Sequence, residues 1–126
     1  MSAIASLPMY DWPELKSHTD RWWQVLDRAF EEAGLDRVPT TLTRHTDPHQ
    51  DWQHPELFLS QTCGYPLWFE HRDALQVVAV PCYQVEGCEG AYYSSMIVTR
   101  KENAHLSLVD FGEHRAAYNA ENSQSG

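Results

Sequence analysis

The residues best equipped for chemistry cluster at the carboxyl end of the chain. Asn119 is followed closely by Ser123-Gln124-Ser125-Gly126. Just before them, Arg115-Ala116-Ala117-Tyr118 is expected to form a short strand. A strand that runs into small hydroxyl residues and a glycine is how α/β proteins open a helix onto an anion. Hydroxyls and free backbone N–H groups converge there, and the helix dipole adds positive potential. Ser123, Ser125, Gly126 and Asn119 are therefore candidate anion-binding residues, and the motif is expected to be cut off before its helix.

Two other groups have reactive chemistry. Cys63 lies between Thr62 and Gly64 on an expected tight turn. A nucleophilic thiolate needs a nearby base or a positive field. None of His18, His45, His49, His54, His71, His105 and His114 stands at a diagnostic spacing from it. A small structural thiol is the expectation. His45, His49 and His54, with Asp47 and Asp51, match no closed zinc pattern, and no glutamate joins them in the metalloprotease arrangement. The segment is expected to be a solvated loop, with no metal and no cofactor.

These residues need elements to hold them. Ile4 to Met9 should form a first strand. Asp11-Trp12-Pro13-Glu14 then starts a helix, with Asp11 as cap and Pro13 in the first turn. Leu15, Trp22, Leu26, Ala29, Phe30 and Ala33 share one face, and Gly34 ends the helix. Thr40 to Thr43 should be a second strand and Arg44 to Gln53 a loop. A third strand runs through Leu57, Phe58 and Leu59 into the turn Gln61 to Pro66, followed by a short helix to His71. Valine-rich Ala74 to Tyr83 predicts a buried strand, and β-branched Tyr92 to Thr99 predicts another. Ser107 to Gly112 predicts a helical turn closed by glycine. Strands alternating with helices indicate an α/β fold with largely parallel pairing. In such sheets ligands bind beyond the carboxyl ends of the strands, which brings Tyr10, Thr62, Cys63, Gly64 and Tyr65 into consideration.

The 126 residues allow one domain, or one domain and a fragment, and carry a formal net charge of −9. That charge argues against nucleic acid or an anionic membrane as partner, but not against a small anion held by local donors. Cys63, Cys82 and Cys88 are an odd set that cannot be fully paired within the chain; Cys82 and Cys88 could bridge in an oxidising compartment, but free thiols in a reducing one are the expectation. The first residues show no basic, signal-like region, which places the chain as it stands in the cytoplasm.

Four stretches carry a family resemblance: Ala5-Ser6-Leu7-Pro8-Met9-Tyr10, Leu59 to Pro66, Gly87-Cys88-Glu89-Gly90 with Tyr93 to Val98, and Ser107-Leu108 with Asn119 to Gly126. In these the chain resembles the phosphate/phosphite/phosphonate-type substrate-binding proteins of ABC transporters, which are typically periplasmic or membrane-associated. The resemblance implies a periplasmic-binding-protein-like type II α/β fold. Residues 1–99 would form the first lobe with its first hinge strand, around Ser94 and Ser95, and residues 100–126 the truncated start of the second. It also implies a small oxyanion or phosphonate-like solute, with Ser123-Gln124-Ser125-Gly126 on its anionic head group and Tyr65 at its flank. A transporter permease would be the partner. An isolated lobe is expected to dimerise through its open sheet edge or cleft surface. The alternatives are a Cys63-dependent enzyme on the same fold and a lone lobe acting as an interaction module.

Overall fold

The computed structural model describes residues 2–118, 120 and 121. The chain divides into two compact units, 1–75 and 76–126. Asn119, Ser123, Ser125 and Gly126 lie outside the described residues, and so does the anion motif they were expected to form.

The first unit is built on a parallel pair of strands, β1 (Ile4–Ala5) and β2 (Leu57–Leu59). Ile4 and Ser6 donate their N–H groups to Glu56 and Leu59, both at 3.0 Å. The Ala5 carbonyl points to the other edge, where it accepts the Thr43 N–H at 2.7 Å. The expected strand at Thr40 to Thr43 is thus reduced to one backbone hydrogen bond alongside β1. The first strand is also shorter than expected, because the chain leaves the ladder after Ser6.

A 3-10 turn at Pro13–Leu15 leads into helix α1 (Lys16–Glu32). Pro13 fits the first turn, where a missing N–H costs nothing. Asp11 does not cap the helix; its carboxylate pairs with Arg44 instead. The helix ends as expected at Gly34, with φ +81°. Gly34 donates to Glu31 at 2.9 Å and Leu35 to Phe30 at 3.0 Å, the paired bonds of a Schellman stop.

The expected face of α1 is kept in Leu26 and Phe30, which pack against the core, but Leu15, Trp22, Ala29 and Ala33 are exposed. Trp23, at 1% exposure, is the core residue, whereas Trp22 is exposed. Trp23 packs with Ala5 and Leu7, and Leu26, Phe30, Val38, Leu42, Phe58 and Leu59 surround them. The Trp23 indole N–H donates to the Pro39 carbonyl at 2.9 Å, so the ring is buried with its polar atom satisfied.

Residues expected to be loop form a second helix, α2 (Pro48–Trp52). Asp47 caps it by accepting the His49 N–H at 3.0 Å, and Pro48 occupies the first helical position. Its last two residues, Asp51 and Trp52, are buried. After β2, α3 (Gly64–Pro66) continues through a π-type turn at Leu67–His71.

The second unit departs furthest from expectation. Its described residues contain no strand ladder, and their only β pairing is the isolated bridge Glu89–Tyr92. Val77, Val78 and Val80 are exposed, as are Ile97 and Val98. β-branched composition predicted strands at Ala74 to Tyr83 and Tyr92 to Thr99. A strand also needs a run of ladder partners for its backbone groups, and neither segment belongs to a ladder among the described residues. Arg115 to Tyr118 likewise forms no strand. The expected turn at Ser107 to Gly112 is present as a 3-10 turn, Leu108–Phe111, opened by a reciprocal Ser107–Asp110 capping box and closed at Gly112. No helix among the described residues is long and apolar enough to cross a membrane.

Candidate functional site

The carboxyl ends of β1 and β2 are tied together by side chains. The Ser6 and Ser60 hydroxyls are 2.8 Å apart, and Ser6 is buried. The Trp52 indole N–H reaches the Gln61 carbonyl at 3.0 Å and the Ser60 hydroxyl at 3.2 Å. On the same edge the Cys63 thiol lies 3.8 Å from the Met9 sulfur. The turn after β1 and the turn after β2 therefore meet, as the parallel pairing requires.

A cleft of about 290 Å³ opens beyond the end of β1. Leu7, Pro8 and Asp11 come from the strand's exit, and Lys16 from the start of α1. Thr43, Arg44, His45 and Thr46 come from the segment beside β1, and Pro48 and Asp51 from α2. Arg44 organises this wall. Its Nε donates to Asp11 at 2.7 Å and its Nη2 to Asp20 at 2.7 Å. The Asp11 hydrogen bond, with help from Asp20 and against partial desolvation, pushes the Arg44 pKa above its ordinary value. That leaves Lys16, His45 and the Thr43 and Thr46 side chains to meet a ligand. His45 is held through Nδ1 by the carboxylate of Asp51, which is 1% exposed. An imidazole fixed on one nitrogen by a buried carboxylate presents its other nitrogen in a set orientation.

The residues expected to bind ligand fall differently. Tyr10 lies at the β1 turn, exposed, with φ +66°. Thr62 donates its hydroxyl to the Cys63 carbonyl at 3.2 Å, and Cys63 is half-buried. Gly64 begins α3, and the Tyr65 ring packs on Phe69 with centroids 4.6 Å apart. These residues share the carboxyl edge of the sheet, but they do not line the cleft. Ser94 belongs to the second unit. The cleft's own Lys16, Thr43, Arg44, His45 and Thr46 were not singled out as ligand contacts. Their sequence separation from Leu7 and Pro8 gives no motif; the Thr43–Ala5 bond and the Arg44 pairs with Asp11 and Asp20 bring them together.

A second cluster sits on the neighbouring face of α2. His49, Glu70 and His71 each place one potential ligand atom within 4.8 Å of the other two. His49 Nδ1 is 3.5 Å from Glu70 Oε2, and His71 Nε2 is 3.9 Å from the same oxygen. Trp52 contacts both imidazoles edge-on, with centroids at 4.7 and 5.6 Å.

No family model, curated protein or solved structure matches the chain.

Proposed function

We propose that the chain is a binding module for a small oxyanion or phosphonate-like solute, a solute-binding protein or part of one. The observation that carries this is the cleft beyond β1, where Lys16, Thr43, His45 and Thr46 border one small space and its two carboxylates are already paired, Asp11 with Arg44 and Asp51 with His45. Its position follows the rule for parallel α/β sheets, in which ligands sit outside the carboxyl ends of strands. A donor-rich pocket can hold an anion although the chain is acidic overall.

The type II binding-protein fold and the link to an ABC transporter permease rest on the sequence resemblance alone. On that basis alone Tyr10, Thr62 and Tyr65, and Asn119, Ser123, Ser125 and Gly126 outside the described residues, are proposed as further ligand-binding residues. Self-association is proposed through the apolar surface of the second unit, where Val98 is 87% exposed. The His45–Asp51 pair favours a second reading, in which the imidazole acts as a general base in the same cleft.

A thermal-shift series with phosphate, phosphite, methylphosphonate and sulfate tests the proposal. Stabilisation should rise with ligand concentration and disappear in Lys16→Met combined with Thr43→Val. Alkylating Cys63 should leave it intact. The absence of any shift, or a shift indifferent to the double substitution, defeats the proposal. Turnover of a phosphoester, lost in His45→Gln, would favour the catalytic reading.

A further inference from the structure

The cluster of His49, Glu70 and His71 lies outside the cleft lining, and the anion-binding proposal makes no use of it. Helix α2 separates the two sites. Pro48 and Asp51, three residues apart, line the cleft, while His49 and Trp52 occupy the adjacent face. Glu70 and His71 arrive on the π-type turn, whose His71 ring packs edge-on against Trp52.

His71 is the unusual member. It is 6% exposed, and its Nε2 is buried with no hydrogen-bond partner. The nearest carboxylate oxygen, Glu70 Oε2 at 3.9 Å, is too far to accept a hydrogen bond. Buried polar nitrogens are normally paired, because water has been given up and nothing replaces it. Here the unpaired atom faces a second imidazole and a carboxylate, a set that suits a borderline-soft cation.

We propose that His49, Glu70 and His71 form a binding site for a divalent first-row transition-metal ion such as Zn²⁺. Two ligands on one tetrahedral zinc, each at about 2.0–2.1 Å, stand about 3.3 Å apart. The separations of 3.5 and 3.9 Å to Glu70, with the two imidazole nitrogens within 4.8 Å of each other, reach that value by contraction. The remaining contraction falls to His49 and Glu70, whose side chains are partly exposed and can turn, while buried His71 stays fixed. Two imidazoles and one carboxylate leave a coordination position open, which water or an anion would fill. The Trp52 edge forms the apolar wall of the site. Metal occupancy would join α2 to the turn after β2 and so brace the carboxyl edge of the sheet.

The test uses the whole chain, stripped with a chelator and then titrated with Co²⁺ by visible absorption and with Zn²⁺ by calorimetry. One equivalent should bind, with the intense visible bands of low-coordinate cobalt, and melting should move to higher temperature. His49→Ala and Glu70→Gln, both at partly exposed positions, should each weaken binding by roughly tenfold or more. His18→Ala, on α1, should not. Circular dichroism of each variant checks that the fold is kept. No saturable binding of either ion, or an affinity unchanged in either of the two cluster variants, overturns the site.

Discussion

Arg44 shows how much a single side chain can hold. It links the exit of β1, through Asp11, to the first turns of α1, through Asp20. The two pairs are not equal. The Asp20 side chain is about half exposed, and pairs of that kind contribute less than about 1 kcal/mol. The Asp11 side chain is only 10% exposed, so losing its partner strands a nearly buried carboxylate. Arg44→Met should therefore cost about 1–3 kcal/mol in urea unfolding, and Asp20→Asn less than about 1 kcal/mol. Equal losses would show that Asp11 is not the main partner. Asp110 offers a pH test. The Ser107 hydroxyl, and then the Ser107 backbone N–H, both at 2.7 Å, hold its carboxylate below the ordinary value of 3.8. A depressed carboxylate contributes stability above its unfolded value, and loses it as pH falls through the folded value. The affected window is thus below pH 3.8. In Ser107→Ala the backbone bond remains, so the Asp110 titration followed by NMR should move only part of the way back up.

At the scale of elements, α1 is fixed by both ends and by one face. Its stop depends on Gly34, and its start on Pro13 without a side-chain cap. Its orientation depends on which tryptophan faces the sheet. Trp23→Ala opens a cavity against Ala5 and Leu7 and leaves the Pro39 carbonyl without its donor. It should cost about 3–5 kcal/mol. Trp22→Ala, on the exposed side, should stay within about 0.5 kcal/mol. Chemical denaturation of the two variants decides between the neighbouring faces, and the reverse order would place Trp22 in the core. Helix α2 is short but closely specified. Asp47 and Pro48 start it, and its two faces separate the cleft from the histidine cluster.

For the whole molecule, the two units differ in what can protect their backbones. The first has a parallel pair, a long helix and a tryptophan-centred core. The second, among its described residues, has turns, one isolated bridge and exposed apolar side chains. Hydrogen exchange should be slow at Ser6, Thr43 and the middle of α1, and fast from Val77 to Val80 and from Met96 to Val98. Strong protection of those valine-rich segments in solution would mean that they pair with something, and rising protection with concentration would identify it as a second copy of the chain.

Signals that act within a few residues were legible from the sequence. The Pro13 start and Gly34 stop of α1, the strand at Leu57–Leu59 and the Ser107–Gly112 turn all follow from such signals. The cap at Asp47 was equally local, but it was hidden by the polar composition of the residues after it. Tertiary structure decided the rest. Asp11 could serve a helix end or an arginine, and Arg44, thirty-three positions away, took it. Valine-rich segments became neither strand nor core in the described second unit, because a strand exists only with a partner and sequence does not name one. His49 and His71 carry no spacing that announces a joint role. They meet because β2 returns beside β1, and α2 and the turn at Leu67–His71 pack around Trp52. Local preference is set by neighbours along the chain, but a site is set by neighbours in space, and only the folded path supplies those.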